Sequence, residues 1–141
     1  MEILPACMDD AVLLLKWRND PLTRSMSLTT DEIDWETHID WFKGKISCDN
    51  SDIYVVHHKD LPIASIRCEQ KDGYSEISWV MAPEHRGRGL GKQMLHKFVR
   101  HHKNKYLATI RIENIASQKI CTFAGFNNFT NEGGFLHYKN Y

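Results

Sequence analysis

Trp79-Val80-Met81-Ala82-Pro83-Glu84-His85-Arg86-Gly87-Arg88-Gly89-Leu90-Gly91-Lys92 is the stretch whose reading decides the fold. It reads as a strand, a proline stop, a glycine-rich turn and the start of a helix. Pro83 has no amide hydrogen and ends the sheet ladder. Glycines at alternate positions 87, 89 and 91 let the backbone turn its amides toward a ligand at close range. The helix that follows adds unpaired N-terminal amides and the positive end of its dipole. Together these suit a phosphate or pyrophosphate.

Two familiar phosphate loops fail on spacing. A Walker A loop needs G-x-x-x-x-G-K-[ST]; Gly87 to Lys92 is one residue short, and Gln93 has no magnesium-binding hydroxyl. A dinucleotide fingerprint needs G-x-G-x-x-G near the start of a βαβ unit. Here the spacing is G-x-G-x-G, past mid-chain and after a run of strands.

Working outward, the strand before the turn alternates Ile77, Trp79 and Met81 with Glu76, Ser78 and Val80, giving one apolar and one partly polar face. Ile53 to His58 and Ile63 to Glu69 form a hairpin around Lys59-Asp60-Leu61-Pro62, and Lys71-Asp72-Gly73 turns into Tyr74 to Ala82. Further upstream, Met1 to Cys7 is a first strand and Asp9 or Asp10 caps a helix through about Arg18. Pro21 ends that helix and Leu22 to Leu28 reads as loop. Thr29-x-x-Glu32 is a capping box for a helix to Lys43, stopped by Gly44. Downstream of the turn, Leu90, Met94, Leu95, Phe98 and Val99 make an amphipathic helix ending in Arg100-His101-His102-Lys103. Tyr106 to Ile112 is a strand, Asn114 to Ala124 a helix stopped by Gly125, and Phe126 to Phe129 and Phe135 to Tyr138 are final strands. Helices interleaved with strands predict a mixed α/β (α+β) sheet covered on both faces.

The 141 residues suffice for one domain, taken as 1–141, and are too few for two full ones. Lys plus Arg is 18 and Asp plus Glu is 18, so no overall field attracts nucleic acid or an anionic membrane. Apolar runs are too short for a membrane span or signal peptide. Cys7, Cys48, Cys68 and Cys121 are scattered without a C-x-x-C pair, which predicts reduced thiols, a cytoplasmic protein and no metal site.

Arg86-x-x-Gly89-x-Gly91 matches the R/Q-x-x-G-x-G/A signature of the GNAT superfamily of acyl-CoA-dependent N-acyltransferases. Asn114-x-x-Ser117, followed by Phe123-Ala124-Gly125-Phe126, resembles the second block of that superfamily at a typical separation. Trp17-Arg18-Asn19-Asp20 and His38-x-x-Trp41-Phe42 resemble the branch that acetylates amino-sugar nucleotides, as in pseudaminic acid biosynthesis; the branch acting on ribosomal-protein N-termini has a similar first helix.

The resemblance implies a central, mostly antiparallel twisted sheet of six to seven strands flanked by about four helices and splayed between the fourth and fifth strands. It implies acetyl-CoA as co-substrate without a metal, held by the backbone of Trp79, Val80 and Met81 and by Arg86, Gly87, Arg88, Gly89, Leu90, Gly91, Lys92, Asn114 and Ser117. Trp17, Arg18, Asn19 and Trp41 are the substrate-binding candidates, for a small-molecule amine, a nucleotide-linked amino sugar, in a monomer or homodimer. A protein N-terminal amine as acceptor, and a non-catalytic acetyl-CoA-binding module, are the competing readings.

Acyl transfer to an amine needs an uncharged amine, an oxyanion site and a proton for the leaving thiolate. Glu76, on the polar strand face ten positions before Arg86, matches the place of the catalytic glutamate in several GNAT enzymes; His38, expected to face the cleft, is the rival base. Many relatives carry a tyrosine seven positions after the block asparagine, where this chain has Cys121. Either Cys121 donates the proton, or Tyr138 reaches in, or water serves. The other histidines, His137 among them, read as surface residues, with His57 left open.

Overall fold

The computed structural model describes residues 1–47 and 51–141, so Cys48 lies outside the described residues. In chain order the elements are β1 (Glu2–Pro5), α1 (Ala11–Arg18), α2 (Pro21–Met26), α3 (Trp35–Ile46), β2 (Ser51–His58), β3 (Leu61–Gln70) and β4 (Ser75–Met81). There follow α4 (Leu90–His101), β5 (Tyr106–Arg111), α5 (Ile115–Phe123), β6 (Asn128–Glu132) and β7 (Phe135–Lys139). Short 3-10 turns precede α1 and follow β4. The strands form one sheet in the order β1-β2-β3-β4-β5-β7-β6, antiparallel except for the parallel β4–β5 pair.

Strand alternation sorts side chains to two cores. Ile66, Cys68, Ile77, Tyr106, Ala108 and Ile110 face α4 and α5, where Met94, Leu95, Phe98, Cys121 and Phe126 are buried with them. Ile53, Val55 and Val80 face the other way, onto Ala11, Leu14, Trp17 and Phe42 of α1 and α3. The β2–β3 turn is tight because Lys59 and Asp60 both adopt positive φ, 52° and 63°, as a two-residue hairpin turn of matching twist requires.

Three local expectations are corrected. Leu22 to Leu28 is largely helical, not loop: Asp20 accepts from the Thr23 amide (3.2 Å) and Pro21 takes the first helical position, where its missing amide costs nothing. The second expected helix starts later, at Trp35, because Asp34 rather than Thr29 is its cap and accepts from the Thr37 amide at 2.7 Å. It also runs through Gly44 to Ile46, whose half-buried side chain packs on the α1–α3 core. The penultimate strand begins at Asn128, since Phe126 is 0% exposed and plugs the core after α5.

Candidate active site

The glycine turn leaves a set of donors open. Gly87 and Gly89 have φ of 75° and 74°, a left-handed geometry that Cβ-bearing residues resist. Gly89 is the N-cap of α4 and supplies no side chain, so the helix starts uncapped by protein. Among the described residues, the amides from Gly87 to Lys92 have no backbone or side-chain acceptor; the first satisfied one is Gln93, on the Gly89 carbonyl at 3.3 Å. Gly91 lies close against α5: a Cβ there would meet Ile120 Cδ1 at 2.6 Å, so a larger residue would have to displace the end of that side chain.

A wedge opens beside this turn. β4 pairs with β3 over its length, from Gln70↔Ser75 to Ala64↔Met81, but with β5 only at Ser75↔Tyr106 and Glu76↔Leu107. Beyond Glu76 the β5-side edge of β4 has no strand partner among the described residues. The backbone of Trp79, Val80 and Met81 lies along that free edge. The Trp79 indole Nε1 is buried without a partner.

Paired residues share a sheet face, so Arg67, Glu69, Glu76, Ser78, Leu107, Thr109, Arg111 and His137 all lie on the α1–α3 side. Glu76 stands exposed at the last paired position before the wedge. Lys45 and Lys71 pair with Glu69 at 3.3 and 3.2 Å, and together their hydrogen bonds hold its carboxyl below the ordinary range, Lys71 contributing most. On the far wall, Thr109 Oγ1 and His137 Nδ1 lie 3.2 Å apart, with Glu132 3.8 Å from His137 Nε2. His137 is therefore a half-buried residue of this face rather than a surface histidine; its alternation with buried Leu136 and Tyr138 was the available signal.

Arg24 of α2 and Arg67 of β3 both lie near enough to Arg18 of α1 to act on its charge. Arg67 lies over the Trp41 ring at 5.4 Å, and Trp41 is half exposed. Arg18 donates to the Thr29 carbonyl and hydroxyl at 2.8 and 3.2 Å, and Arg24 to the Thr30 carbonyl at 3.2 Å. The Arg18 pKa is lowered first by burial and then by the charges of Arg24 and Arg67, while its Nη1 is buried without a partner. Among the described residues none of the three forms an ion pair with a carboxylate.

Several candidates have other duties. His38 does not face the cleft. It is 4% exposed between α1 and α3, flanked by Trp35, Trp41 and Phe42, and its Nε2 bonds the Ala11 carbonyl at 2.8 Å. An Nε2 that donates there is not free to take a substrate proton. Trp17 is 2% exposed in the α1–α3 core, and the Asn19 amide is spent on Ile33, donating to its carbonyl (2.7 Å) and accepting from its amide (2.9 Å). Neither is available to touch a substrate.

Asn114 caps α5, accepting from the Ser117 amide at 3.2 Å. Cys121 is 0% exposed, and burial pushes its thiol up to about 12. Such a thiol is a poorer acid than the ordinary thiol, near 8.5, that it would have to regenerate. Tyr138 is buried beside it on the same core face, 5% exposed. The Arg86 guanidinium reaches away from the glycine turn, to Asp20 Oδ2 and Thr23 Oγ1, each at 2.7 Å.

The chain belongs to the acetyltransferase (GNAT) domain family, whose model matches residues 1–127. It is an acetyl-CoA-dependent N-acetyltransferase acting on amine acceptors. No curated protein gives a significant sequence match. Among solved structures, a domain from Methanocaldococcus jannaschii DSM 2661 superposes with a TM-score of 0.80 at 21% identity, over 98% of this chain and 96% of that one. Spermidine N-acetyltransferase from Vibrio cholerae, in complex with CoA and spermine, gives 0.81 at 13% identity, over 98% and 92%. AAC(6')-Ib, in complex with parmomycin and acetyl-CoA, gives 0.79 at 14%, over 97% and 90%. At these identities the likeness establishes the shared fold.

The residues fit the co-substrate. Six open amides at a helix start suit its pyrophosphate, and the free edge of β4 suits the amides of its pantetheine arm. Among the described residues no group of three or more His, Cys, Asp or Glu side chains is arranged to hold a metal, and no helix is long and apolar enough to cross a membrane.

Proposed function

We propose that the acceptor amine is carried on an anionic small molecule, a nucleotide-linked amino sugar. The observation that carries this reading is the cluster of Arg18, Arg24 and Arg67 with the exposed Trp41 ring. Like charges brought near one another, with Arg18 partly desolvated, favour an anionic partner. Guanidiniums suit phosphate oxygens through paired N–H donors, and an exposed indole beside them offers a stacking face for a base. The same cluster repels a polycation such as spermine.

In this reading Glu76 takes the proton from the acceptor ammonium at the apex of the wedge, directly or through water. Acetyl-CoA, when bound, supplies the acyl group as a thioester. Backbone amides near Trp79 to Met81 hold the pantetheine edge and donate to the developing oxyanion. Arg18, Arg24 and Arg67 fix the diphosphate so that the amine is oriented before reaction. With Cys121 sealed in the core, water supplies the proton to the departing thiolate.

A coenzyme A release screen tests this, using UDP-amino sugars, spermine, an aminoglycoside and a peptide with a free N-terminus, with products followed by intact mass. UDP-amino sugars should give the fastest release. Arg67→Ala should raise the KM for that acceptor about ten- to a hundredfold with kcat little changed, the loss of one charge-assisted contact. Equal or faster turnover of spermine, the aminoglycoside or the peptide, or an unchanged acceptor KM in Arg67→Ala, overturns the proposed acceptor.

A further inference from the structure

On the side of the glycine turn away from the wedge, a cavity of about 270 Å³ is lined by His58, Lys59, Leu61, His85, Arg88 and Leu90. The β2–β3 turn contributes His58, Lys59 and Leu61, and the turn after β4 contributes His85. Arg88 and Leu90 belong to the glycine turn itself, so the cavity shares a wall with the open amides. Four of the six lining side chains are basic. Asp60 and Glu84, the carboxylates next to them in sequence, do not line the cavity, and no ion pair among the described residues neutralises Lys59 or Arg88. The Nδ1 atoms of His58 and His85 are buried without hydrogen-bond partners. Unpaired ring nitrogens of this kind are costly, and a ligand that bonds them removes the cost.

We infer that this cavity is a phosphomonoester site that receives the 3′-phosphate of the coenzyme A ribose. A pyrophosphate held by the amides of Gly87 to Lys92 carries that phosphate one sugar away. Arg88 then contributes its amide to one anion and its guanidinium to the other. The hairpin turn that supplies His58 and Lys59 lies outside both sequence blocks that mark the cofactor turn, which is why the blocks do not show it. The inference rests on the cofactor reading of the glycine turn.

Calorimetric titration of the full chain with coenzyme A and with dephospho-coenzyme A separates the two. The ligands differ only in the 3′-phosphate. The expected result is about tenfold tighter binding of coenzyme A, the contribution of one or two partly exposed charge-assisted bonds. In His58→Gln and Lys59→Gln variants this preference should shrink toward equality while affinity for dephospho-coenzyme A holds. Equal affinity for both ligands in the unmodified chain, or a preference that survives in both variants, overturns the 3′-phosphate site alone. Failure of both ligands to bind the unmodified chain overturns the cofactor reading of the glycine turn, and this site with it.

Discussion

Glu76 and Cys121 occupy opposite environments, and their chemistry divides accordingly. Glu76 is exposed at the last β4–β5 pair, where a carboxylate keeps access to water, as its proposed role as base requires. Cys121 is enclosed by core side chains, with its thiol held up at about 12 by desolvation. Glu76→Gln should lower kcat by roughly 10²–10⁴-fold, the range of a positioned general base. Acetyl-CoA affinity, measured by titration, should stay as it is. Cys121→Ala should leave turnover essentially unchanged and cost about 1 kcal/mol of stability in denaturant melts, as removal of one small buried atom does. The position of Glu76 on the polar face was legible from strand alternation. The burial of Cys121 was only half legible: helical spacing puts it on the inner side of α5, but the depth of that side is set by β7 and Phe126.

At the scale of elements, α2 is the part the sequence hid. A proline after an aspartate reads equally as the end of one helix or the start of another, and the Asp20 cap decides for the start. The Asp20 carboxylate also receives Arg86 at 2.7 Å, and that hydrogen bond is the main cause of its lowered pKa. The signature arginine of the glycine turn is thus a tie to the helix that carries Arg24. Arg111 holds the other end of α2, donating to the Ser27 carbonyl at 2.7 Å. Arg86→Ala should therefore raise the KM for the acceptor several-fold while that for acetyl-CoA moves little, and Asp20→Asn should do the same. The double variant should be no worse than Arg86→Ala alone, since both changes break the same Arg86–Asp20 ion pair. A rise confined to the acetyl-CoA KM would instead assign Arg86 to the pyrophosphate.

At the scale of the whole molecule, His38 clamps α1 to α3 and makes that joint sensitive to acid. Burial lowers its pKa below the ordinary 6.5, outweighing the opposite pull of the Ala11 carbonyl. The unfolded chain then takes up a proton at pH values where the folded chain does not, so stability is intact above about 6.5 and falls as pH drops through the window below it. Thermal melts between pH 7.5 and 5 should show that loss, and His38→Gln, which can still donate to Ala11, should lessen it. An equal loss in the variant would place the acid sensitivity elsewhere.

What the sequence determined by itself is local: the glycine turn, the two blocks of the cofactor side and the strand and helix periodicities. Glycines at positive φ, a proline stop and alternating apolar residues act within a few positions of themselves, so their geometry is readable from order and spacing. What only the tertiary structure decided is the set of long-range contacts on which the proposed acceptor side rests. His38 meets Ala11 across 27 positions and Arg86 meets Asp20 across 66, while the arginine cluster is drawn from α1, α2 and β3. Charge repulsion and burial act between such residues only after the sheet and its helices have brought them together, so no spacing along the chain encodes them.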